Sequence, residues 1–109
     1  MQISVFEILS SPNAMFHQDG LKLHESMLEA FGKGEKVVIN FKNVQVLTTQ
    51  FLNASFGKLM VEKGISFFMS KVTITGADHL TSFQTKLDWV VDNIKNDSNY
   101  RPMLDAALA

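Results

Sequence analysis

Lys36-Val37-Val38-Ile39-Asn40-Phe41, followed closely by Thr48-Thr49-Gln50-Phe51-Leu52-Asn53-Ala54-Ser55-Phe56-Gly57-Lys58-Leu59-Met60-Val61-Glu62-Lys63, decides the fold. The first stretch is a near-continuous apolar run bounded by Gly32-Lys33-Gly34 and Lys42-Asn43. That pattern predicts a central strand buried on both faces, with helices on both sides or a well-covered sheet. In the second stretch Phe51, Leu52, Phe56, Leu59 and Met60 form a broad apolar stripe at helical spacing. The helix stops at Gly64, after a last turn whose Lys58 and Lys63 suit the negative end of the helix dipole. Either Thr48 or Thr49 can cap it, the hydroxyl accepting from a free backbone N–H for ~1 kcal/mol.

Outward from this unit the chain keeps alternating. Ile3 to Leu9, with Ile3 and Val5 set against Ser4 and Glu7, predicts a strand with one buried face, stopped by Ser10-Ser11-Pro12-Asn13. Asp19-Gly20 opens a helix whose Leu21, Leu23, Leu28 and Phe31 oppose Lys22, Glu25 and Glu29. Beyond Gly64, Ile65-Ser66-Phe67-Phe68-Met69 fits either a strand or a connecting turn, whereas Lys71 to Thr75 alternates and is rich in β-branched residues, as strands are. Gly76-Ala77-Asp78 introduces a final helix carrying Leu80, Phe83, Leu87, Val90 or Val91, and Ile94 on one face, closed by Asn96-Asp97-Ser98-Asn99. The tail from Tyr100 to Ala109 suits one short helix after Pro102. The expected architecture is α/β, a mixed or largely parallel sheet with alternating helices, in a single domain over residues 1–109.

Composition bounds the chemistry. The 109 residues are 46% hydrophobic and 19% charged, which excludes a disordered chain, and no apolar run approaches the ~20 residues of a membrane span. Ten basic against eleven acidic residues leave no positive field to condense on nucleic acid or an anionic membrane. The absence of cysteine excludes disulfides, thiolate zinc sites and cysteine nucleophiles together. Met1-Gln2-Ile3-Ser4-Val5-Phe6-Glu7 has none of the features of a secretory signal, so a cytoplasmic location is expected. His17, His24 and His79 fall in a loop, a helix and a helix start without metal-site spacing, and Gly32-Lys33-Gly34 lacks the Lys-Ser/Thr of a phosphate loop. Glu25, Glu29, Asp88 and Asp92 fall on polar helix sides, where charge is normally just solvated. No enzymatic reaction, no metal and no cofactor is expected.

From Val37 to Leu59 the sequence resembles the STAS-like domain family of unknown function: a strand ending in an acidic or amide residue plus Phe, then a Val, a Thr/Ser-rich turn, and a helix that starts with Phe and carries Phe56-Gly57-Lys58-Leu59. More distantly it is similar to the STAS domains of anti-sigma-factor antagonists, whose equivalent turn holds an Asp-Ser-Ser-Gly motif phosphorylated by an ATP-binding partner kinase. The resemblance implies a small STAS-like fold. It places Asn40 where antagonists often carry a strand-end Asp, and Thr48-Thr49-Gln50-Phe51 on the Asp-Ser-Ser-Gly motif. Gln50, standing on the phosphorylated serine, cannot accept a phosphoryl group, which leaves Thr48 or Thr49 as the substitute acceptor.

The resemblance implies a regulatory module that docks a protein partner, of the anti-sigma ATPase or kinase kind, through the turn and helix at Thr48 to Leu59. Its partner-binding candidates are Thr48, Thr49, Gln50, Asn53 and Lys58. Asn53 and Ser55 are expected on the less apolar side of the helix, facing solvent. Gly57, which costs ~1 kcal/mol relative to Ala in a helix interior, is expected to mark close packing against the sheet or another helix. The alternative is a small-ligand sensor taking a nucleotide or anion at the same helix N-terminus. A third reading is a homodimer formed through Phe67-Phe68-Met69.

Overall fold

The computed structural model describes residues 1–96. Three parallel strands, β1 (Gln2–Ser4), β3 (Val37–Asn40) and β5 (Val72–Thr75), lie in the order β1-β3-β5. Consecutive strands of a parallel sheet require crossover connections. The first crossover is mainly α2 (His17–Gly32), and the second is a long helix followed by α5 (Ile65–Lys71). That long helix has three parts: α3 (Thr49–Leu52), a π-helical turn (Asn53–Gly57) and α4 (Lys58–Lys63). After β5, residues 77–82 make successive turns before α6 (Phe83–Asn96). This is the alternating α/β architecture with a parallel sheet that the sequence predicts.

The register shows which sheet face is buried. Ile3 pairs with Ile39 and Ile39 with Ile74, while Val37 pairs with Val72. Of these, Ile3, Val37, Ile39 and Val72 are buried. Pointing the other way are the rows Gln2, Val38, Thr73 and Ser4, Asn40, Thr75, all exposed or half-exposed. The strand expected within residues 36–41, β3, is therefore central, as predicted, but buried on one face only. The physical reason is topological: strands added in chain order through crossovers of one hand place their helices on the same side. Accordingly α2, the long helix and α6 pack on one another as a single layer.

Several elements depart from the sequence reading. The first strand ends at Ser4 instead of running to Leu9, because the Ser4 hydroxyl accepts from the Glu7 N–H at 3.2 Å and caps α1 (Val5–Leu9). Ser4 and Glu7 have the spacing of a capping box. Ser10, at φ 52°, closes α1, and residues Asn13–Ala14 (β2) then pair in parallel with Val46–Leu47 (β4), a ladder that the sequence did not announce. The helix expected from Asp19 starts at His17, since the Asp19 carboxylate reaches back to accept from the Phe16 N–H. His17 thus sits on α2 rather than in a loop. Residues 65–69 are helical, neither strand nor turn: Gly64, at φ 99°, breaks the chain direction, and Phe68 is driven into the core. The last helix begins at Phe83, so His79 lies in the preceding turns. Of the expected stop at Asn96-Asp97-Ser98-Asn99 only Asn96, the last described residue of α6, can be placed, and the rest of it and the short helix of the tail from Tyr100 lie outside the described residues.

One hydrophobic core joins these parts. Phe41, leaving β3, meets Phe56 of the π turn and Phe83 of α6 edge-on, and Phe56 in turn packs on Phe68 at 5.0 Å. No helix among the described residues is long and apolar enough to cross a membrane.

Candidate functional site

The turn into the long helix is held from three sides. The Thr48 N–H donates to the Ala14 carbonyl at 3.1 Å, and the Thr48 hydroxyl donates to the Met15 carbonyl at 2.6 Å. The same oxygen accepts from the Phe51 N–H at 3.2 Å, so of the two threonines Thr48 is the cap. From α6, the Lys86 ammonium donates to the Leu47 carbonyl. From α2, Gly20 brings its backbone against the long helix so closely that a Cβ built on it would lie 2.5 Å from the Phe51 carbonyl oxygen.

With its hydroxyl donating to Met15 and accepting from Phe51, Thr48 is a fixed part of the turn. A phosphoryl group on it would remove the donor to Met15, while Thr49 stays half-exposed beside it. Replacing Thr48 with Ala is expected to lower stability by about 1–2 kcal/mol, through the lost cap and the orphaned Met15 carbonyl. Thr49→Ala should change it by less than about 0.5 kcal/mol, as for an ordinary surface substitution. Urea denaturation of the two variants decides it, and equal losses would show that the cap is shared.

Past the turn the helix is mostly core as far as Met60, and Glu62 and Lys63 at its end are exposed. Phe51, Leu52, Ala54, Ser55, Phe56, Leu59 and Met60 are buried, and Gln50, Asn53 and Lys58 are exposed. Ser55, expected to face solvent, is fully buried, and its hydroxyl donates to the Phe51 carbonyl at 2.8 Å. A side-chain hydroxyl inserted into the backbone ladder is a recognised cause of local helix distortion, and here it accompanies the π turn. Gly57 packs against α6 as expected: a Cβ there would lie 3.3 Å from Val90 and 3.5 Å from Ile94.

The π turn also decides which polar residues share a face. In an unbroken α-helix, residues five apart are rotated by about 140°, which would turn Lys58 away from Asn53. Here the Lys58 N–H donates to the Asn53 carbonyl, the i+5 bond of a π-helix, so Lys58 sits one turn directly beyond Asn53. Gln50 precedes Asn53 by three residues, on the same side of the helix. Of the residues singled out in the sequence, Gln50, Asn53 and Lys58 thus line up as one exposed polar stripe, with Thr49 at its margin. Thr48 is turned inward.

Phe67-Phe68-Met69 does not form one apolar patch. Phe68 is buried, Phe67 packs edge-on against Phe31 at 5.0 Å, and Met69 alone is largely exposed. His24, also buried, pairs through Nε2 with the Glu62 carboxylate of α4 and so ties α2 to the long helix. Sequence reasoning missed the residues that hold the turn, namely Met15, Gly20 and Lys86. Only Gly20, a glycine in a helix, carried a signal that could have found it.

No curated protein and no solved structure matches the chain. The model of one family, described as a STAS-like domain of unknown function (DUF4325), matches residues 19–80, more than half of the sequence, from the start of α2 to the turns before α6. The matched region contains β3, β5, the Thr48 turn and the whole exposed stripe, and this chain belongs to the family of STAS-like domains of unknown function.

Proposed function

We propose that this domain is a regulatory interaction module without an enzymatic reaction of its own, and that it docks a protein partner through the stripe formed by Gln50, Asn53 and Lys58. The observation that carries the proposal is the stripe itself. Between Gln50 and Met60 all the other residues of the helix are buried, and this stretch presents three aligned polar groups on a backbone pinned by β2, α2 and α6. Rigid presentation lowers the ordering cost of association, so a few contacts suffice for a specific complex. The resemblance to anti-sigma-factor antagonists makes an ATP-binding, kinase-like protein the class of partner to seek. The competing idea of an anion held at the helix start draws less support, because both donors of Thr48, its N–H and its hydroxyl, are already engaged by Ala14 and Met15.

The double variant Gln50→Arg, Asn53→Arg should lose the partner recovered with the tagged protein from its source cells, while its melting temperature stays within ~2 °C of the parent, since both side chains are exposed. A matched control, Glu25→Arg with Glu29→Arg on the exposed side of α2, should keep the partner. Retention by the first variant, or loss from both, would refute docking at the stripe.

A further inference from the structure

Away from the stripe, the carboxyl ends of β3 and β5 bound an open cleft lined by Lys42, Asn43, Gln45, Thr75, Asp78 and His79. Its two walls are fixed to each other. The Asn40 side chain accepts from the Lys42 N–H at 2.9 Å, and Asn43 turns the chain in the left-handed region at φ 72°. Gly76, at φ 70°, lies against the Asn40 amide oxygen and the Lys42 backbone so tightly that no Cβ fits between them. The His79 ring crosses from the β5 side to the Val44 carbonyl on the β3 side at 2.6 Å. A carbonyl can only accept, so Nε2 carries the proton, and in the neutral ring Nδ1 is left as an acceptor.

The charges in this cleft are divided. Lys42 stands on one wall and Asp78 on the other, and neither makes an ion pair among the described residues. Surface charges of opposite sign that share a cleft without meeting leave room for a molecule that carries both signs. The wall that carries Lys42 also carries Asn43 and Gln45, whose side-chain amides can donate to a carboxylate. The wall that carries Asp78 also carries Thr75 and His79, whose hydroxyl and Nδ1 can accept from an ammonium group.

We infer that this cleft binds a small zwitterion, a free α-amino acid, with its carboxylate on the Lys42 wall and its ammonium on the Asp78 wall. This site is separate from the docking stripe and does not rest on it. Because both charges are exposed and screened, the affinity belongs in the millimolar range.

The test is a titration of the isotope-labelled full chain with a panel of L-amino acids, following the backbone amides of Asn43, Gly76 and Asp78 by NMR. At least one amino acid should shift all three saturably, and acetate or ethylammonium, each carrying one half of the charge pattern, should bind at least ~10-fold more weakly. Lys42→Gln and Asp78→Asn should each weaken the amino acid by ~10-fold or more, and both are exposed positions whose substitution leaves the fold intact. No saturable shift from any amino acid overturns the proposal. So does acetate binding as tightly as the amino acid, or an Asp78→Asn variant that binds unchanged, since either would leave a simple anion site at Lys42.

Discussion

Phe41→Ala is expected to cost about 3–5 kcal/mol, the range for deleting a fully buried aromatic side chain. Phe41 has no exposed surface and stands where β3 delivers the chain into the β4 turn. Its ring meets Phe56 at 6.2 Å and 80°, and Phe83 at 5.1 Å and 62°. One residue therefore joins the central strand to the π turn and to the start of α6. Each edge-on pair adds about 0.5–1.5 kcal/mol beyond area burial, so the loss should fall in the upper part of the range. Domains of this size are typically stable by about 5–15 kcal/mol, which leaves the variant near the folding threshold. A fall in melting temperature of roughly 15 °C or more, followed by far-UV circular dichroism, is the expected readout. Phe41→Leu, which keeps most of the volume, should lose less than half as much. A Phe41→Ala loss below about 1 kcal/mol would mean that the aromatic chain from Phe83 through Phe41 and Phe56 to Phe68 is not what holds the layers together.

The same residues show how far the sequence could be read. The run from Val37 to Phe41 and the stripe from Phe51 to Met60 were legible because each follows one period long enough to outweigh local propensity, and together they give the parallel α/β core. That helices cover one sheet face only was not legible, since Val38 is as apolar as its buried neighbours and only the strand order places it outward. The two-residue strands β2 and β4 are too short to carry a period at all. Choosing Thr48 over Thr49 as the cap requires knowing where the Met15 carbonyl lies, a contact 33 residues away in the chain. The π turn was invisible for a related reason: periodicity is read against a fixed turn, so an inserted widening makes Ser55 look exposed and Lys58 look unaligned with Asn53. For α1 the signal was present, in the capping spacing of Ser4 and Glu7, but the apparent alternation of Ile3 and Val5 masked it.

Gly20→Ala puts the position of the whole candidate site under test. By intrinsic propensity the change should help, because Ala is better than Gly in a helix by about 1 kcal/mol. The packing reverses the sign. A Cβ at Gly20 would lie 2.5 Å from the Phe51 carbonyl oxygen and 2.6 Å from the Ala54 Cβ, and the nearer of these is backbone that no rotamer change can move. Nor can the long helix retreat freely, since Thr48 is bonded to Ala14 and Met15 while Lys86 holds Leu47 from the far side. The two helices must therefore separate, loosening the packing between α2 and the long helix, and the net result should be a loss of about 2–3 kcal/mol. Gly32, the last residue of the same helix, supplies the control: a Cβ there meets nothing within 4 Å, so Gly32→Ala should be neutral or stabilise by up to ~1 kcal/mol. Identical substitutions in one helix should thus move the urea midpoint in opposite directions, or leave only the control unmoved. If Gly20→Ala is as stable as the parent, α2 does not lie against the helix that carries Gln50 and Asn53, and the pinned presentation of the stripe fails with it.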